Sequence, residues 1–330
     1  MDIILGFLLL LIATYYYTYP KTGAWLYRGL QQWQMVKNGF RERSYRVNGI
    51  PIVVLENESQ PIHDTRQLLI LVHDFPADKT MWLPLASKLT ERFHVVIPDL
   101  PGFGETGYDP QWDFSLSAQV QRLGALIWQM GYSQAHIVGQ GMGADIGYLL
   151  AREQQRAVAS LTLIAPMSQS GHKQSLLDKQ VSQTRNPFFT QSKEDFYALY
   201  NMATFHPPRY PGVVKDAMAQ YFTLHRTRIQ ALFSIYWQDK SRLIPSVSDL
   251  DIPVQLCWGR QDSLVDISAA EHWCRTLNIH CSVINDTGHY VSIEAPMRLF
   301  HILDHFYASA GAYHPVKMPA RIEDFYRQLP

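Results

Sequence analysis

Short apolar runs alternate with amphipathic stretches along most of this chain. Six runs bounded by turn residues predict strands buried on both faces, at Leu68–Val72, His94–Ile97, Ala135–Val138, Leu161–Ile164, Val254–Trp258 and Cys281–Ile284. Helical stretches lie between them, at Ser115–Met130, Gly143–Gln154, Ile267–Leu277 and Ala295–Tyr307. This alternation predicts an α/β fold with a doubly wound, mostly parallel sheet.

A hairpin is predicted before the first of these strands. Asn48 and Gly49 separate two extended segments, Ser44–Val47 and Ile50–Leu55. An Asn-Gly pair between such segments is typical of a two-residue hairpin turn, because both residues tolerate positive φ angles. We therefore expect an antiparallel pair at the N-terminal edge of the sheet.

The alternation stops near Pro166. Residues 167–248 are helical in pattern, rich in methionine and aromatic residues, and contain no strand run. We interpret them as a helical cap inserted after the strand at 161–164, which is the sixth strand when the two hairpin strands are counted. The cap thus separates core segments 43–166 and 249–310. The pattern does not assign residues 311–330, which we treat as a C-terminal tail. We expect the cap to expose apolar side chains over a cleft, among them Phe188, Phe189, Phe196, Tyr197 and Met202.

The N-terminus has a different pattern. Residues 3–19 carry no charge and end in a group of tyrosines, with Lys21 and Arg28 following. A helix of this length spans about 25 Å, enough for the core of a bilayer. Tyrosines followed by basic residues are typical of the membrane interface. We therefore predict a single-pass transmembrane anchor over residues 1–20 and an amphipathic juxtamembrane helix over residues 21–42.

The alternative for the N-terminus is a cleaved signal peptide. Against it, only Met1 and Asp2 precede the apolar run, without a basic residue, and no small-residue cleavage site follows. The basic residues after the run favour a cytoplasmic location for that end. A homodimer through the anchor and the juxtamembrane helix is a further arrangement open to this segment.

Composition and charge limit the classes of partner and cofactor that we expect for this chain. The 330 residues are 47% hydrophobic and 18% charged, as in ordinary globular proteins, and 29 basic residues balance 29 acidic ones. A neutral chain gives no electrostatic reason to expect nucleic acid as a partner. Cys257, Cys274 and Cys281 are not spaced as metal ligands, and we expect free thiols, with a Cys274–Cys281 disulfide as the alternative. We expect neither a metal nor another cofactor.

The most informative motif is the stretch from His136 to Gly143. It reads as a buried strand, a tight glycine turn and a helix, which is the pattern of the nucleophile elbow G-x-S-x-G. The central position of the elbow is Gly141, where a serine nucleophile would stand. Glycine has no side chain that can attack a substrate.

The other parts of a catalytic triad are predicted on neighbouring loops. Asp262 follows the strand at 254–258, and His289 follows the strand at 281–284, so both lie at carboxyl ends of parallel strands. The order elbow, acid, histidine is that of a Ser-His-Asp hydrolase with this fold. Asp266 is a rival for the acid. Asp145 is a weak candidate as substitute nucleophile, because we expect it to point toward the sheet.

An oxyanion hole needs two backbone N–H groups directed at the developing negative charge. Met142, directly after the elbow position, is expected to supply one of them. The second is expected from Phe75, in the loop His73-Asp74-Phe75-Pro76 that follows the first predicted parallel strand.

Residues 44–309 resemble the α/β-hydrolase superfamily, and in particular the membrane-anchored monoacylglycerol-lipase-like hydrolases and related bacterial lipases and phospholipases A. The resemblance rests on the stretches 97–104, 192–197, 258–262 and 288–289. It implies a sheet core, a lid over an acyl-chain cleft, and action on fatty-acyl esters at a membrane. The bacterial relatives tend to face the periplasm, against the charge argument above, so the membrane side stays open.

The chain departs from that family at two positions. Gly141 replaces the serine, and Asp74 replaces the glycine of the His-Gly pair that usually leads the oxyanion loop. In both respects it resembles the N-myc downstream-regulated proteins, which keep the fold and are regarded as non-enzymatic. Two changes in one catalytic apparatus favour a natural loss of activity over an engineered inactivation.

Three functions are therefore open. The first is a membrane-anchored pseudohydrolase that binds a fatty-acyl lipid or a protein partner. The second is an active ester hydrolase, either with serine at position 141 in a parent sequence or by water attack assisted by His289. The third is an unrelated function on an α/β fold.

Overall fold

The computed structural model describes residues 2–57, 66–168, 173–183, 185–240, 243 and 250–309. Within the first 20 residues it describes few side chains. The tail predicted at 311–330 lies outside the described residues.

One eight-stranded sheet organises the fold. Its strands are β1 (Phe40–Val47), β2 (Ile50–Asn57), β3 (Gln67–Val72), β4 (Phe93–Pro98), β5 (Ala135–Gln140), β6 (Val158–Ile164), β7 (Val254–Gly259) and β8 (Cys281–Ile284). Their order is β1-β2-β4-β3-β5-β6-β7-β8. The hairpin β1–β2 joins β4 in antiparallel fashion, and the six strands from β4 to β8 are parallel to one another. The predicted doubly wound sheet with an N-terminal hairpin is confirmed.

Helices cover both faces of this sheet. They are α1 (Asp2–Lys37), α2 (Leu83–Ala86), α3 (Leu116–Gln129), α4 (Met142–Glu153), α5 (Leu176–Ser182), α6 (Lys193–Ala203), α7 (Gly212–Leu224), α8 (Arg226–Lys240), α9 (Ser268–Leu277), α10 (Val291–Glu294) and α11 (Pro296–Ser309). Local capping sets several boundaries: Ser115 accepts a hydrogen bond at the start of α3, and Ser192 with Asp195 forms a capping box on α6.

The described part of 167–248 contains the four helices α5 to α8 and no strand, as the cap prediction requires. The predicted exposure of its apolar residues is wrong. Phe188 and Phe196 are buried, and Phe189, Tyr197 and Met202 are half-buried. These side chains pack against one another and against the core, because apolar area gains more from burial than from contact with water.

Strand β3 shows why the sheet holds the two layers together. Leu68, Ile70 and Val72 belong to the hydrophobic cluster on one face, and Leu69 and Leu71 belong to the cluster on the other. All five side chains are almost completely buried. Successive residues of a strand point to opposite faces, so an uninterrupted apolar run is what a central strand needs.

The N-terminal segment differs from its prediction. A continuous helix, α1, runs from Asp2 to Lys37, and Phe40 already begins β1, so the helix ends before residue 42. Gly39 adopts a positive φ of 71° at this break. Within the described residues, no helix combines the length and the apolar character needed to cross a membrane. The single-pass anchor is therefore not supported by the structure.

Helix α1 packs closely against the cap. Gly23 of α1 is buried against α7, and a Cβ atom added there would overlap the carbonyl oxygen of Val213. Six positions further along, Gly29 has open space around it. The two glycines lie on the same helix but in opposite environments, which makes them a matched pair for testing this contact.

We expect Gly23→Ala to lower the free energy of unfolding by about 1–3 kcal/mol, because the added methyl group forces two packed backbones apart. Gly29→Ala should instead raise it by up to about 1 kcal/mol, since alanine favours the helix and meets nothing. Urea unfolding followed by circular dichroism measures both. Equal effects of the two substitutions would show that α1 does not pack on α7.

Candidate functional site

The elbow has the geometry expected of a nucleophile turn. Strand β5 ends at Gln140, Gly141 adopts φ 55° and ψ −119°, and α4 starts at Met142. Positive φ angles of this kind are strained for residues with a Cβ atom and free for glycine. A Cβ atom at Gly143 would overlap the carbonyl oxygen of Val72, so the helix can start directly above the sheet only with glycine there.

Asp262 and His289 are brought together as predicted by their strand positions. The distance from Asp262 Oδ2 to His289 Nδ1 is 2.7 Å. The other oxygen, Oδ1, accepts hydrogen bonds from the backbone N–H groups of Leu264 and Val265, each at 2.9 Å. The rival Asp266 accepts a hydrogen bond from Ser268 N at the start of α9 instead. Asp262 is therefore the carboxylate that orients the imidazole.

Asp74 occupies the centre of the site. Its Oδ1 accepts hydrogen bonds from the backbone N–H groups of Phe75 at 2.7 Å and Met142 at 2.8 Å. These are the two groups predicted to form the oxyanion hole. Its Oδ2 lies 2.9 Å from His289 Nε2. A carboxylate of the chain itself thus fills the place where a substrate oxyanion would bind.

The same carboxylate fills the space of the missing nucleophile. A Cβ atom added at Gly141 would overlap the carboxyl group of Asp74. The two departures from the hydrolase pattern are therefore physically linked, since the position of the Asp74 side chain requires that residue 141 has no side chain. Sequence reasoning noted both changes but missed this contact.

His289 has a carboxylate oxygen on each ring nitrogen. With both carboxylates ionised, both ring nitrogens must donate, which only the imidazolium form allows. Burial disfavours the charge and lowers the pKa of His289. Attraction to Asp262 and Asp74, with their hydrogen bonds, outweighs burial and raises the pKa to about 10. His289 is therefore charged at neutral pH and is not a base in this state.

A neutral histidine supports the loop on the other side of Asp74. His73 Nε2 accepts a hydrogen bond from Leu100 N at 3.0 Å, so its Nδ1 carries the proton and donates to the Asp74 carbonyl oxygen at 2.9 Å. Complete burial is the main cause that lowers the pKa of His73. The loop is thereby tied to the segment that follows β4.

The cap closes over this site with aromatic rings. Phe75 lies 5.1 Å from Phe188 and 5.6 Å from Phe233, measured between ring centroids, in edge-to-face geometry. The ring of Tyr236 is parallel to that of Phe75. Asp74, His289 and Phe75 have no exposed surface, so a ligand can reach them only if the side chains that cover them move.

The prediction that Asp145 points toward the sheet is wrong, because its side chain points toward the cap. Its Oδ2 accepts hydrogen bonds from Tyr236 Oη at 2.6 Å and from Met167 N at 3.2 Å. Complete burial raises the pKa of Asp145 to about 6. This carboxylate fastens α8 to the core and has no contact with His289.

Two further residues position the histidine loop and were not predicted. Gln140 donates from Nε2 to the His289 carbonyl oxygen at 3.1 Å. Glu294 accepts hydrogen bonds from the backbone N–H groups of Gly288, Phe205 and His206. Glu294 thereby joins the loop before His289 to the segment after α6. Gln140 lies within the elbow motif, directly before Gly141, but the motif does not say where its side chain points. Glu294 lies in no motif, so the sequence offered no signal for it.

The three cysteines are free thiols, as expected, and Cys257 is buried in β7. Across the described ranges, no group of three or more His, Cys, Asp or Glu side chains is arranged to hold a metal ion.

Comparisons with known proteins place this geometry in a family. The sequence model of the alpha/beta hydrolase fold matches residues 67–296. Lipase 3 of Moraxella sp. (strain TA144) is 28% identical over 270 residues, which cover 80% of this chain and 84% of that protein. Monoacylglycerol lipase ABHD6 of Bos taurus is 25% identical over 256 residues, covering 73% of this chain and 75% of that protein.

Solved structures agree. The crystal structure of a membrane phospholipase A, described as a bacterial virulence factor, has a TM-score of 0.82 and 27% identity and covers 94% of this chain and 99% of that one. A putative lipase from Acinetobacter baumannii AYE has a TM-score of 0.76 at 22% identity, covering 86% of this chain and 96% of that one, and supports the fold alone.

The protonation of His289 can be tested directly. Its folded pKa of about 10 lies above the ordinary value of 6.5. The stabilisation from the proton is therefore complete below pH 6.5 and is lost as the pH rises toward 10. Nitrogen NMR of the imidazole should show the cation throughout this range. Asp74→Asn should move the titration to lower pH, because one of the two carboxylates is removed.

The matched control for this titration is Asp266→Asn, since Asp266 does not contact the imidazole and should leave the pKa unchanged. An imidazole that titrates near 6.5 in the unmodified protein would contradict the doubly paired geometry.

Proposed function

Because this chain belongs to the alpha/beta hydrolase fold family, we propose that it is a lipase-type member that binds fatty-acyl lipid between cap and sheet without hydrolysing it by the serine route. The observation that carries the proposal is the carboxylate of Asp74, which fills both the oxyanion hole and the space of the absent nucleophile.

Acyl transfer by this route needs three things: a nucleophile, a base that takes its proton, and two free N–H donors for the oxyanion. Gly141 supplies no nucleophile. His289 is already protonated between Asp262 and Asp74 and accepts no further proton. The N–H groups of Phe75 and Met142 are engaged by Asp74. All three requirements fail in this state, and the groups responsible for the failures lie within a few ångströms of one another.

The lipid part of the proposal is supported by the relatives and by the cap. The relatives named above are a lipase, a monoacylglycerol lipase and a membrane phospholipase A. The surface that faces Phe75 is apolar and aromatic, and includes Phe188 and Phe233. An acyl chain that displaces these rings keeps apolar contacts on all sides, as ligand sites of this type require.

We extend the proposal to contact with a membrane surface. Helix α1 exposes large apolar side chains along its C-terminal half: Trp25, Leu26, Leu30, Trp33 and Val36. Lys37 lies at the end of the same helix, over the Trp33 ring. Aromatic and basic residues together are typical of helices that lie at a membrane interface. Pairing of two copies through this helix remains a prediction.

Lipid binding and the absence of hydrolysis can be measured in one experiment. We expect radiolabelled monooleoylglycerol to bind the full-length protein and to be displaced by oleate but not by glycerol, since the acyl chain supplies the contacts. Over the same incubation, the release of oleate should equal that of heat-denatured protein. Release above that level which His289→Ala abolishes would contradict the proposal, because it would require a working base. Absence of binding would contradict the lipid part alone.

Restoring the nucleophile should need two substitutions. Gly141→Ser alone places its Cβ atom in the Asp74 carboxylate, so we expect a destabilised protein that a fluorophosphonate does not label. Asp74→Gly with Gly141→Ser removes the obstruction, frees both N–H donors, and leaves His289 paired with Asp262 alone. This double variant should be labelled at the introduced serine.

The control for the double variant is Asp74→Gly alone, which should open the hole but remain unlabelled. Strong labelling of the single Gly141→Ser variant would show that Asp74 moves aside readily, and the proposed obstruction would then be wrong.

A further inference from the structure

The segment from Asp74 to Trp82 is held together by its own hydrogen bonds. The carbonyl oxygen of Asp74 accepts from Ala77 N at 2.9 Å, and the N–H of Asp74 donates to Met81 Sδ at 3.4 Å. Further along, Met81 N donates to the carbonyl oxygen of Asp78 at 3.2 Å. Both backbone groups of Asp74 are therefore bonded to later residues of this segment, so the far end of the segment helps to set the direction of the Asp74 side chain.

Asp78 caps the short helical turn Lys79–Trp82 at this far end. Its Oδ1 accepts hydrogen bonds from Thr80 N at 2.8 Å and from Thr80 Oγ1 at 2.5 Å. An ionised carboxylate can only accept, so the hydroxyl proton of Thr80 is donated to Asp78. The two lone pairs of Thr80 Oγ1 can therefore accept hydrogen bonds from other groups.

Helix α1 supplies a donor for each of these lone pairs. Gln31 Nε2 donates to Thr80 Oγ1 at 2.8 Å, and the hydroxyl group of Tyr27 forms a second hydrogen bond with the Thr80 side chain. Tyr27 and Gln31 are four residues apart, so they lie on one face of the helix. Thr80 thus makes all three hydrogen bonds that a hydroxyl group can make, one to its own loop and two to α1.

The same face of α1 also contacts the cap. The rings of Tyr27 and Tyr210 meet edge to face with their centroids 5.9 Å apart, and Gly23 is packed against Val213 at the start of α7. Tyr27 therefore contacts the cap with its ring and the loop that carries Asp74 with its hydroxyl group. A displacement of α1 would change both contacts together.

We propose that Thr80 is a positioning residue through which the docked helix α1 holds the Asp74 carboxylate in the oxyanion hole. The proposal rests on the role assigned to Asp74 under the proposed function, and it concerns what keeps that side chain in place. Asp74 needs such support, because its carboxylate must stay within hydrogen-bond distance of Phe75 N, Met142 N and His289 Nε2 at once. Without α1, the loop keeps its internal hydrogen bonds but loses two of those that fix its far end.

The opposite face of α1 gives this connection a function. It exposes the large apolar side chains for which contact with a membrane surface is proposed above, among them Leu26, Leu30 and Trp33. One face of the helix therefore meets the surroundings of the protein, and the other meets the loop that fills the oxyanion hole. Withdrawal of α1 from Thr80 weakens the hold on Asp74 and frees the N–H donors of the hole.

The test compares the full-length protein with Thr80→Val, which keeps the shape of the side chain but removes its hydroxyl group. The pKa of His289, about 10 in the unmodified protein, should fall. The fall should be smaller than in Asp74→Asn, because the carboxylate leaves the imidazole only part of the time. Hydrogen exchange at Met142 N, which donates to Asp74, should quicken by about 5–10-fold, the factor that one net hydrogen bond of ordinary strength provides.

Three further variants separate the role of α1 from that of the loop. Tyr27→Phe combined with Gln31→Ala leaves the hydrogen bond between Thr80 and Asp78 intact, and should change both readouts in the same direction as Thr80→Val. Thr80→Ser keeps the hydroxyl group and should retain the values of the unmodified protein. Gln32→Ala changes an exposed neighbour on the same helix and should alter neither readout.

A control for general loss of stability is Ser115→Ala, which removes the N-cap hydrogen bond of α3. It should unfold at a lower urea concentration but leave the titration of His289 and the exchange at Met142 N unchanged. Exchange at Leu264 N, which donates to Asp262, is an internal reference and should stay constant in the α1 and Thr80 variants.

The proposal also predicts a gain of reactivity, which damage to the fold would not produce. In the Gly141→Ser background, Thr80→Val should raise fluorophosphonate labelling of the introduced serine, because the Asp74 carboxylate leaves its place more often. Thr80→Ser in the same background should not raise it.

Folded Thr80→Val and Tyr27→Phe/Gln31→Ala proteins with an unchanged His289 pKa and unchanged exchange at Met142 N would overturn the proposal. Equal changes in Ser115→Ala would also overturn it, because they would trace the effect to lost stability. Either result would leave the proposed function intact, since both concern only the support of Asp74. Failure of the protein to bind monooleoylglycerol would, conversely, contradict the lipid part of the proposed function and leave the link between α1 and Asp74 standing.

Discussion

A buried carboxylate must be neutralised, and this requirement organises the whole site. Asp74 has no contact with solvent, and an isolated charge there would cost several kcal/mol. Two backbone N–H groups and the His289 imidazolium supply the compensation. The charge of His289 is balanced in turn by Asp262. The start of α4, the loop after β3 and the loop after β8 therefore meet around one negative group, and displacement of that group would leave all of them with unmatched partners.

The cap and the histidine loop are held by the same contacts. The backbone N–H of His289 donates to the carbonyl oxygen of Ala203, at the end of α6, and Glu294 accepts from both sides of this junction. A movement of the cap that opens a path between the aromatic rings would therefore pull on the loop that holds the imidazole. Opening of the cleft is therefore linked through α6 to the geometry of Asp74, His289 and Asp262. The closed cap and the paired histidine belong to one state.

The sequence predicted most of the sheet, the elbow and the pairing of Asp262 with His289, because each depends on a local pattern placed by strand order. The substitution of Asp74 for glycine was also visible. Where its carboxylate points was not, since three segments far apart in sequence determine that. The cap illustrates a second limit. Composition indicated that Phe188 and Phe196 belong to the cap, but only the packed fold decides whether such rings face solvent or one another.

The overlap between Asp74 and any side chain at position 141 also constrains how such a site can evolve. A hydrolase with serine in the elbow cannot first gain the aspartate without a steric conflict, and this chain cannot regain serine while the aspartate remains. The intermediate that passes without conflict has glycine at both positions and therefore lacks both the serine and the aspartate. Conversion between the two kinds of site therefore needs two substitutions that pass through this form, so no single substitution turns one site into the other.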